Sequence, residues 1–411
     1  MSTLTKSLFV EEEYLELYPE VAAAVRTGVF DSGRSHYLRH GRAEGRAGFR
    51  FDDEWYARSY PLAVHEVAQG LTGSLASHYQ QHGVARGYLP YPEALRPDNP
   101  ASLPSRFGGM WVDQLNSRDI VAGQLEIGRI TAQQADRLLS FIVNGYVVIE
   151  KGVSDDEVDR ALEDLERAFN GEIDGLAFQC PNVGRGSFTQ LQSVLRTKPA
   201  KALDLHYFSN SVRDLILSDK VADFLMLLFN ARPFISQTLG FYRGSAQGAH
   251  QDTAYVPYTA QRGFVASWIA LEDVSQNAGE LFYIPGSHTL EDFLYADRFK
   301  SISEATRSGC RAELLTMQEA QHVKSLEPRA ASHGMSSETF LARRGDVLIW
   351  HADLAHGGKP ISSNETRRSI VTHYCSKYAS PIFAEQFKAP FHDHKGKGFY
   401  TTSHYPAEFP R

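Results

Sequence analysis

An ungapped internal repeat constrains the first hundred residues before any single motif is read. "FVEEEYLELYPEVAAAVRTG" from Phe9 aligns with "FDDEWYARSYPLAVHEVAQG" from Phe51, and "SHYLRHGRAEG" from Ser35 with "SHYQQHGVARG" from Ser77. The pairs Phe9/Phe51, Pro19/Pro61, Gly28/Gly70, His36/His78, His40/His82 and Gly45/Gly87 are all offset by 42 residues. Each unit reads as two short helices. The first carries Tyr14, Leu17 and Val21 as apolar positions; a Gly-containing turn follows, then a helix around His-Tyr-x-x-His-Gly. Four-residue spacing puts His36 and His40 on one helical face, and likewise His78 and His82. Such a pair can bind metal, or it can hydrogen-bond and pack between helices. No carboxylate recurs beside the pair at matching positions, which favours packing.

The stretch "LPYPEALRPDNPASLPSRFG" (89–108) holds five prolines and no hydrophobic period. The expected organisation is a helical domain of two 42-residue repeats over 1–90, a proline-rich linker over 91–129, and a larger domain over 130–411. A net charge of −7 without a basic run argues against nucleic acid. No apolar run reaches the roughly 18 residues of a membrane span. Glutamates interrupt the N-terminus where a secretory signal needs apolar residues, so a cytoplasmic location is expected. The three cysteines, Cys180, Cys310 and Cys375, form no CxxC pair, which excludes a cysteine-based metal site as the main chemistry.

Beyond Ile130 the pattern changes. A helix, a strand at Tyr146–Ile149 and an acidic amphipathic helix capped near Ser154 are followed by a further helix at "VADFLMLLFN". Then come short β-like runs separated by Gly, Pro and Asn: "PFISQTLGFYRG", "AHQDTAYV", "FVASWIALEDV", "GELFYIPGSH", "DVLIWHAD" and "RRSIVTHYC". Many short strands between turn signals predict an α+β domain with a jelly-roll core rather than a parallel sheet. The run 289–344 reads as an insertion, of the kind that forms a lid.

If "AHQDTAYV" is a strand, His250 and Asp252 project to one face while Gln251 points away. An imidazole and a carboxylate supply two ligands of the 2-His-1-carboxylate triad that leaves open positions on Fe(II). A third must come from elsewhere, and "HADLAHGGKPISSNETRRSIVTHY" offers His351 and His356. Arg367, eleven residues after His356, is a cation able to hold an anionic cosubstrate.

Residues 130–380 resemble the phytanoyl-CoA dioxygenase family of Fe(II)/2-oxoglutarate oxygenases. "NGYVVIEKGVSDDEV", "HQD", "WIALEDVSQNAGELFYIPGSH" and "GDVLIWHADLAHGGKP…RRSIVTHY" occur in the family's order. The resemblance implies a double-stranded β-helix with His250, Asp252 and His356 as iron ligands. It implies Arg367 as the bidentate partner of the distal carboxylate of 2-oxoglutarate, with Trp268 beside the cosubstrate. Fe(II), 2-oxoglutarate and O2 are the implied cofactors, with ascorbate as a reductant. Where the family often has a serine two residues after the distal histidine, this chain has Gly358, so a replacement donor is needed. Gln237 and Tyr242 are the candidates on the preceding strand. Retention of Asp252, where related halogenases carry a small residue, implies hydroxylation rather than halogenation; desaturation, cyclisation and epimerisation stay open.

Tyr255 and Tyr258, together with the 289–344 insertion, are expected to line the substrate pocket. The N-terminal units resemble repeats of bacterial surface-polysaccharide synthesis proteins, which implies oligomerisation or docking to glycan-synthesis partners and a polar or glycan-related substrate. The alternatives are a non-catalytic jelly-roll scaffold and a cupin-like isomerase that needs neither Arg367 nor 2-oxoglutarate.

Overall fold

The computed structural model describes residues 9–44, 46–86, 88–91, 105–180, 184–186, 192–376, 379–387, 389–402 and 404–405. Gly45 and Gly87 of the repeat alignment, and the proline-rich residues 92–104, lie outside them. The chain separates into two compact units, residues 1–106 with 114–135, and residues 107–113 with 136–411.

In the first unit each repeat is broken more finely than expected. The apolar helix is two pieces, Glu11–Leu17 and Pro19–Arg26, repeated as Asp53–Ser59 and Pro61–Ala68. Pro19 and Pro61 cause the break: each lacks an N–H and forces its predecessor out of the α region, so Tyr18 and Tyr60 sit at φ −128°. The break also changes which side chains face inward. Tyr14 and Val21 are buried, whereas Leu17, expected in the core, is 43% exposed.

The repeated histidines serve packing. Tyr14 Oη and Tyr56 Oη meet His36 Nδ1 and His78 Nδ1, each at 3.0 Å. The same two hydroxyls press on Gly41 and Gly83, where a Cβ would collide with them. The recurring Tyr, His and Gly therefore form one lock, used twice. In the second copy Glu66 adds a bond to His78 Nε2 at 2.6 Å and is itself held by Arg86 at 2.8 Å.

The segment 91–129 is not a linker throughout. Trp111–Asp113 forms a 3-10 turn of the second unit, with Trp111 Nε1 donating to Leu227 O. Ser117–Glu126 forms a helix of the first, in which Gly123 packs on Leu62. Its apolar positions, Ile120 and Val121, are buried as an amphipathic helix requires.

The second unit carries the strands β1 (Tyr146–Ile149), β2 (Phe178–Cys180), β3 (Gly184–Gly186), β4 (Lys201–Leu203), β5 (Phe234–Phe241), β6 (Phe264–Ala270), β7 (Leu281–Tyr283), β8 (Glu338–Phe340), β9 (Val347–His351), β10 (His356–Gly358), β11 (Ser369–Cys375), β12 (His392–His394) and β13 (Gly398–Tyr400). The larger sheet runs β1-β9-β6-β11-β5-β4-β2-β3, with β13 joining β5; the smaller runs β10-β7-β8. Central strand β6, "FVASWIA", is buried at every position because β9 and β11 flank it and both faces are covered. Trp268, Leu348 and Trp350 of the large sheet pack with Leu281 and Tyr283 of the small one. This is the jelly-roll sandwich expected from the strand pattern.

The cap expected near Ser154 is present, and it is one half of a capping box: Ser154 Oγ accepts from Glu157 N and the Glu157 carboxylate returns to Ser154 N, starting the helix Asp155–Asn170. Two expectations about this unit need correction. "AHQDTAYV" is no regular strand: His250 makes a single bridge to His356, and Asp252–Ala254 is a 3-10 turn. The insertion 289–344 contains the helices Ile302–Arg307 and Ala312–Ser332, but its end is β8, an integral strand of the smaller sheet.

The lock in the repeats yields a test. Gly83→Ala should destabilise the first unit by about 1–3 kcal/mol, because the added methyl drives the Tyr56 hydroxyl from His78. Gly73→Ala, whose Cβ meets nothing within 4 Å, is the control. Calorimetry should show a lower unfolding step in the first variant and none in the second.

Candidate metal centre

Two backbone bonds assemble the centre. His250 N donates to His356 O at 2.9 Å and His356 N to His250 O at 3.0 Å, so β10 is paired with the residues just before the turn. This exchange sets the two imidazole centroids 4.3 Å apart. Each ring is fixed in the same way, its Nδ1 donating to the carbonyl two residues earlier: Gly248 O for His250 and Leu354 O for His356, both at 2.9 Å. With Nδ1 carrying the proton, each Nε2 presents a lone pair. Asp252 follows on the 3-10 turn, with Oδ1 lying 3.8 Å from His250 Nε2 and 3.7 Å from His356 Nε2.

The carboxylate is oriented from behind, as Trp350 Nε1 donates to Asp252 Oδ2 at 3.0 Å. One oxygen is thereby occupied and the other left facing the histidines. Burial alone would push Asp252 up, but His356, His373 and His250 together hold it below the usual carboxylate range. Burial, then the neighbouring His356, lowers His250 to about 3, so its ring is neutral at physiological pH. Two imidazoles and one carboxylate, with Nδ1 anchored and Nε2 converging, fit a divalent iron. The three ligand atoms lie within 4.8 Å of one another, and this is the sole such group of three metal-capable side chains found among the described residues.

The centre opens into a cavity of about 510 Å3. At its wall stands Arg367, 2% exposed. Its Nη1 donates to Gly279 O at 2.6 Å, while Nε is buried and has no hydrogen-bond partner among the described residues. Burial lowers its pKa to about 10, opposed by Glu280, and it stays charged at neutral pH. The guanidinium carbon lies 5.6 Å from the Trp268 ring, within cation–π range. A buried cation with an unspent N–H fits the carboxylate of 2-oxoglutarate.

The phytanoyl-CoA dioxygenase (PhyH) profile matches residues 141–369. The chain belongs to this family. It is an Fe(II)- and 2-oxoglutarate-dependent dioxygenase. A probable alpha-ketoglutarate-dependent hypophosphite dioxygenase of Stutzerimonas stutzeri is 24% identical over 261 residues, covering 60% of this chain and 80% of the relative. The phytanoyl-CoA dioxygenase of Arabidopsis thaliana is 23% identical over 300 residues, covering 64% and 96%. Among solved structures, the non-heme alpha ketoglutarate dependent epimerase SnoN from nogalamycin biosynthesis superimposes with a TM-score of 0.45 at 17% identity, covering 66% of this chain and 98% of that one.

Within this PhyH chain the other expected site residues divide. Gln237, Trp268 and Tyr255 line the cavity, the Tyr255 ring lying 5.9 Å from that of His250. Tyr242 does not: it lies just past β5, its hydroxyl accepts from Arg196 Nη1 at 2.9 Å, and its ring packs on Phe169. Tyr258 is 1% exposed, stacks on Phe264 and spends its hydroxyl on Ser236, so it is core. No residue of 289–344 lines the cavity. The insertion reaches the site indirectly: burial, then the nearby Glu319 carboxylate, raises the Tyr255 hydroxyl above its usual range.

The rival ligand His351 is committed elsewhere. Its Nδ1 accepts from Asp353 N at 3.0 Å and its Nε2 lies 3.2 Å from Asp113. Arg368 points away from the cavity and pairs with Glu272 and Glu166. Among the cavity residues that the sequence reading did not single out are Trp350, Lys201 and Ser245, while His373, a histidine that could be buried or substrate-facing by sequence, lines the cavity as well. Trp350 and His373 sit inside runs that read as plain strand, and contact with Asp252 comes only from strand pairing.

Trp350→Phe keeps the apolar wall but frees Asp252 Oδ2. Losing the bond that orients this carboxylate should weaken Fe(II) binding about ten- to a hundredfold with the fold intact. Competition with a metal-sensitive dye under anaerobic conditions measures it; affinity equal to wild type would contradict the orienting role.

Proposed function

We propose that the protein hydroxylates a polar small molecule or a glycan-related substrate, with His250, Asp252 and His356 as the iron ligands and Arg367 as the anchor of 2-oxoglutarate. The observation that carries this reading is the pairing, in one cavity, of three converging ligand atoms with a buried arginine whose Nε has no partner among the described residues. Bound there, iron and 2-oxoglutarate supply the O2-driven oxidation of a substrate C–H bond.

The chain's own residues supply placement. Trp350 fixes which oxygen Asp252 offers, and the Gly248 and Leu354 carbonyls fix the two imidazoles. Arg367 binds the cosubstrate carboxylate from a buried position beside the Trp268 ring, where water competes less well than at the surface. A polar substrate is supported by the rest of the lining, where Gln179, Gln237 and Gln247 offer amides and Tyr255 an amphipathic ring. The Lys201 ammonium also lines this cavity, with no hydrogen bond or ion pair among the described residues. These groups can position a sugar-like or anionic substrate over the metal.

The repeat unit is proposed as a docking module for glycan-synthesis proteins. Supporting this, Val29 and Leu71, at equivalent repeat positions, are 67% and 63% exposed. No helix among the described residues is long and apolar enough to cross a membrane.

Arg367→Ala tests the reading. Truncating one partner of a buried charge pair costs about 2–5 kcal/mol, so the KM for 2-oxoglutarate should rise at least about thirtyfold. Succinate release with and without candidate sugars measures it. An unchanged KM would remove Arg367 from the cosubstrate site.

A further inference from the structure

The loop between β5 and His250 lies flat on β10. Gly358 N donates to Gln247 O at 2.8 Å, and a Cβ on Gly357 would fall within 2.8 Å of Gln247 O and Gly248 C. At Gly358 the obstacle is a side chain. A Cβ there would stand 2.8 Å from Ser245 Oγ, 3.5 Å from Ala246 N and 3.7 Å from Gly279 O. Gly358 has no positive φ, so the demand at this position is space rather than backbone conformation. The space beside it is taken by the Ser245 hydroxyl.

That hydroxyl is half spent. Ser245 Oγ accepts from Gln247 N at 3.4 Å, a long bond, and its own proton goes to no acceptor among the described residues. Ser245, Gly358 and Arg367 line the same cavity. Gly279 O ties them together, receiving Arg367 Nη1 at 2.6 Å and lying 3.7 Å from the point beside which Ser245 Oγ sits. Two unspent donors, the Arg367 Nε–H and the Ser245 O–H, therefore belong to one end of the cavity. Charged N–H and neutral O–H together suit a carboxylate, whose two oxygens accept from both.

We infer that Ser245 donates to the distal carboxylate of 2-oxoglutarate, a role the chain moves from position 358 on β10 to the loop lying across it. This rests on the reading of Arg367 as that carboxylate's anchor. The exchange is mutual: a hydroxymethyl group at 358 and one at 245 compete for the same volume, so a donor can occupy either position but not both. Gly358 and Ser245 are one specificity device, and the pairing explains why a glycine follows the distal ligand by two residues.

The test is anaerobic titration of the Fe(II)-loaded full-length protein with 2-oxoglutarate, following the visible metal-to-ligand charge-transfer band. It reads binding without turnover. Ser245→Ala should raise the Kd for 2-oxoglutarate about tenfold or more, the size of one hydrogen bond to a charged group, with Fe(II) affinity unchanged. Gly358→Ser alone should also weaken binding, since its side chain meets Ser245 Oγ. The double variant Ser245→Ala/Gly358→Ser should recover to within about threefold of wild type. A Ser245→Ala variant with wild-type Kd, or a double variant no tighter than the single ones, overturns the inference. Arg367→Ala, run alongside, separates the two levels. A band in wild type that weakens with Arg367→Ala leaves the cosubstrate reading standing whatever Ser245 does, whereas no band in wild type sinks that reading itself.

Discussion

The exchange of two backbone hydrogen bonds between His250 and His356 is the interaction on which the site depends. The two residues are 106 positions apart in sequence, and only this pairing sets their rings 4.3 Å apart. Because each Nδ1 is anchored to the carbonyl two residues back, backbone placement determines where each lone pair points. Asp252 leaves the pairing on a 3-10 turn, which swings its carboxylate between the rings. An extended continuation would have carried it onward along the ladder.

A buried ionic network holds that turn from behind. Asp353 lies 3.0 Å from Lys300 Nζ and 2.8 Å from Arg262 Nε, and its carboxylate also accepts from Thr253. Gln251 Nε2 donates to Asp353 O at 2.6 Å. Residues on both sides of Asp252 are thus tied to the segment that leads into His356, while Lys300, tied also to Asp292, connects the insertion. Burial penalises the Asp353 charge, yet Lys300, Arg262 and His351 together hold its carboxyl far below the usual range. A group so committed is costly to break and rewards a single geometry. The insertion acts through this scaffold, and through Glu319 on Tyr255, rather than as a cavity wall.

Much of this was legible in the sequence, for reasons that differ by residue. Strands β1, β5, β6, β9 and β11 announced themselves as β-branched and aromatic runs between turn residues, and Ser154 with the acidic residues after it announced a helix start. The ligands were legible as a set because a metal site restricts residue type and order. What failed was orientation. Tyr242 and Gln237 are close in sequence, yet Gln237 lies within β5 facing the cavity, while Tyr242 has left the strand and packs outward on Phe169. Tyr258 looks like a pocket aromatic until Ser236 takes its hydroxyl. The replacement donor went unread because no spacing rule joins Ser245 to Gly358; only the fold of the loop onto β10 does. The split at Pro19 and Pro61 is readable from the prolines alone, since each lacks an N–H and disfavours helix at the residue before it.

The most direct test of the account is where iron binds. Crystals of the full-length protein, loaded anaerobically with Fe(II) and 2-oxoglutarate, should be measured on either side of the iron absorption edge. The account predicts one strong anomalous peak per chain, within bonding distance of His250 Nε2, Asp252 Oδ1 and His356 Nε2. Iron on the paired histidines of the repeats, or a centre that takes in His351 in place of His356, would contradict it.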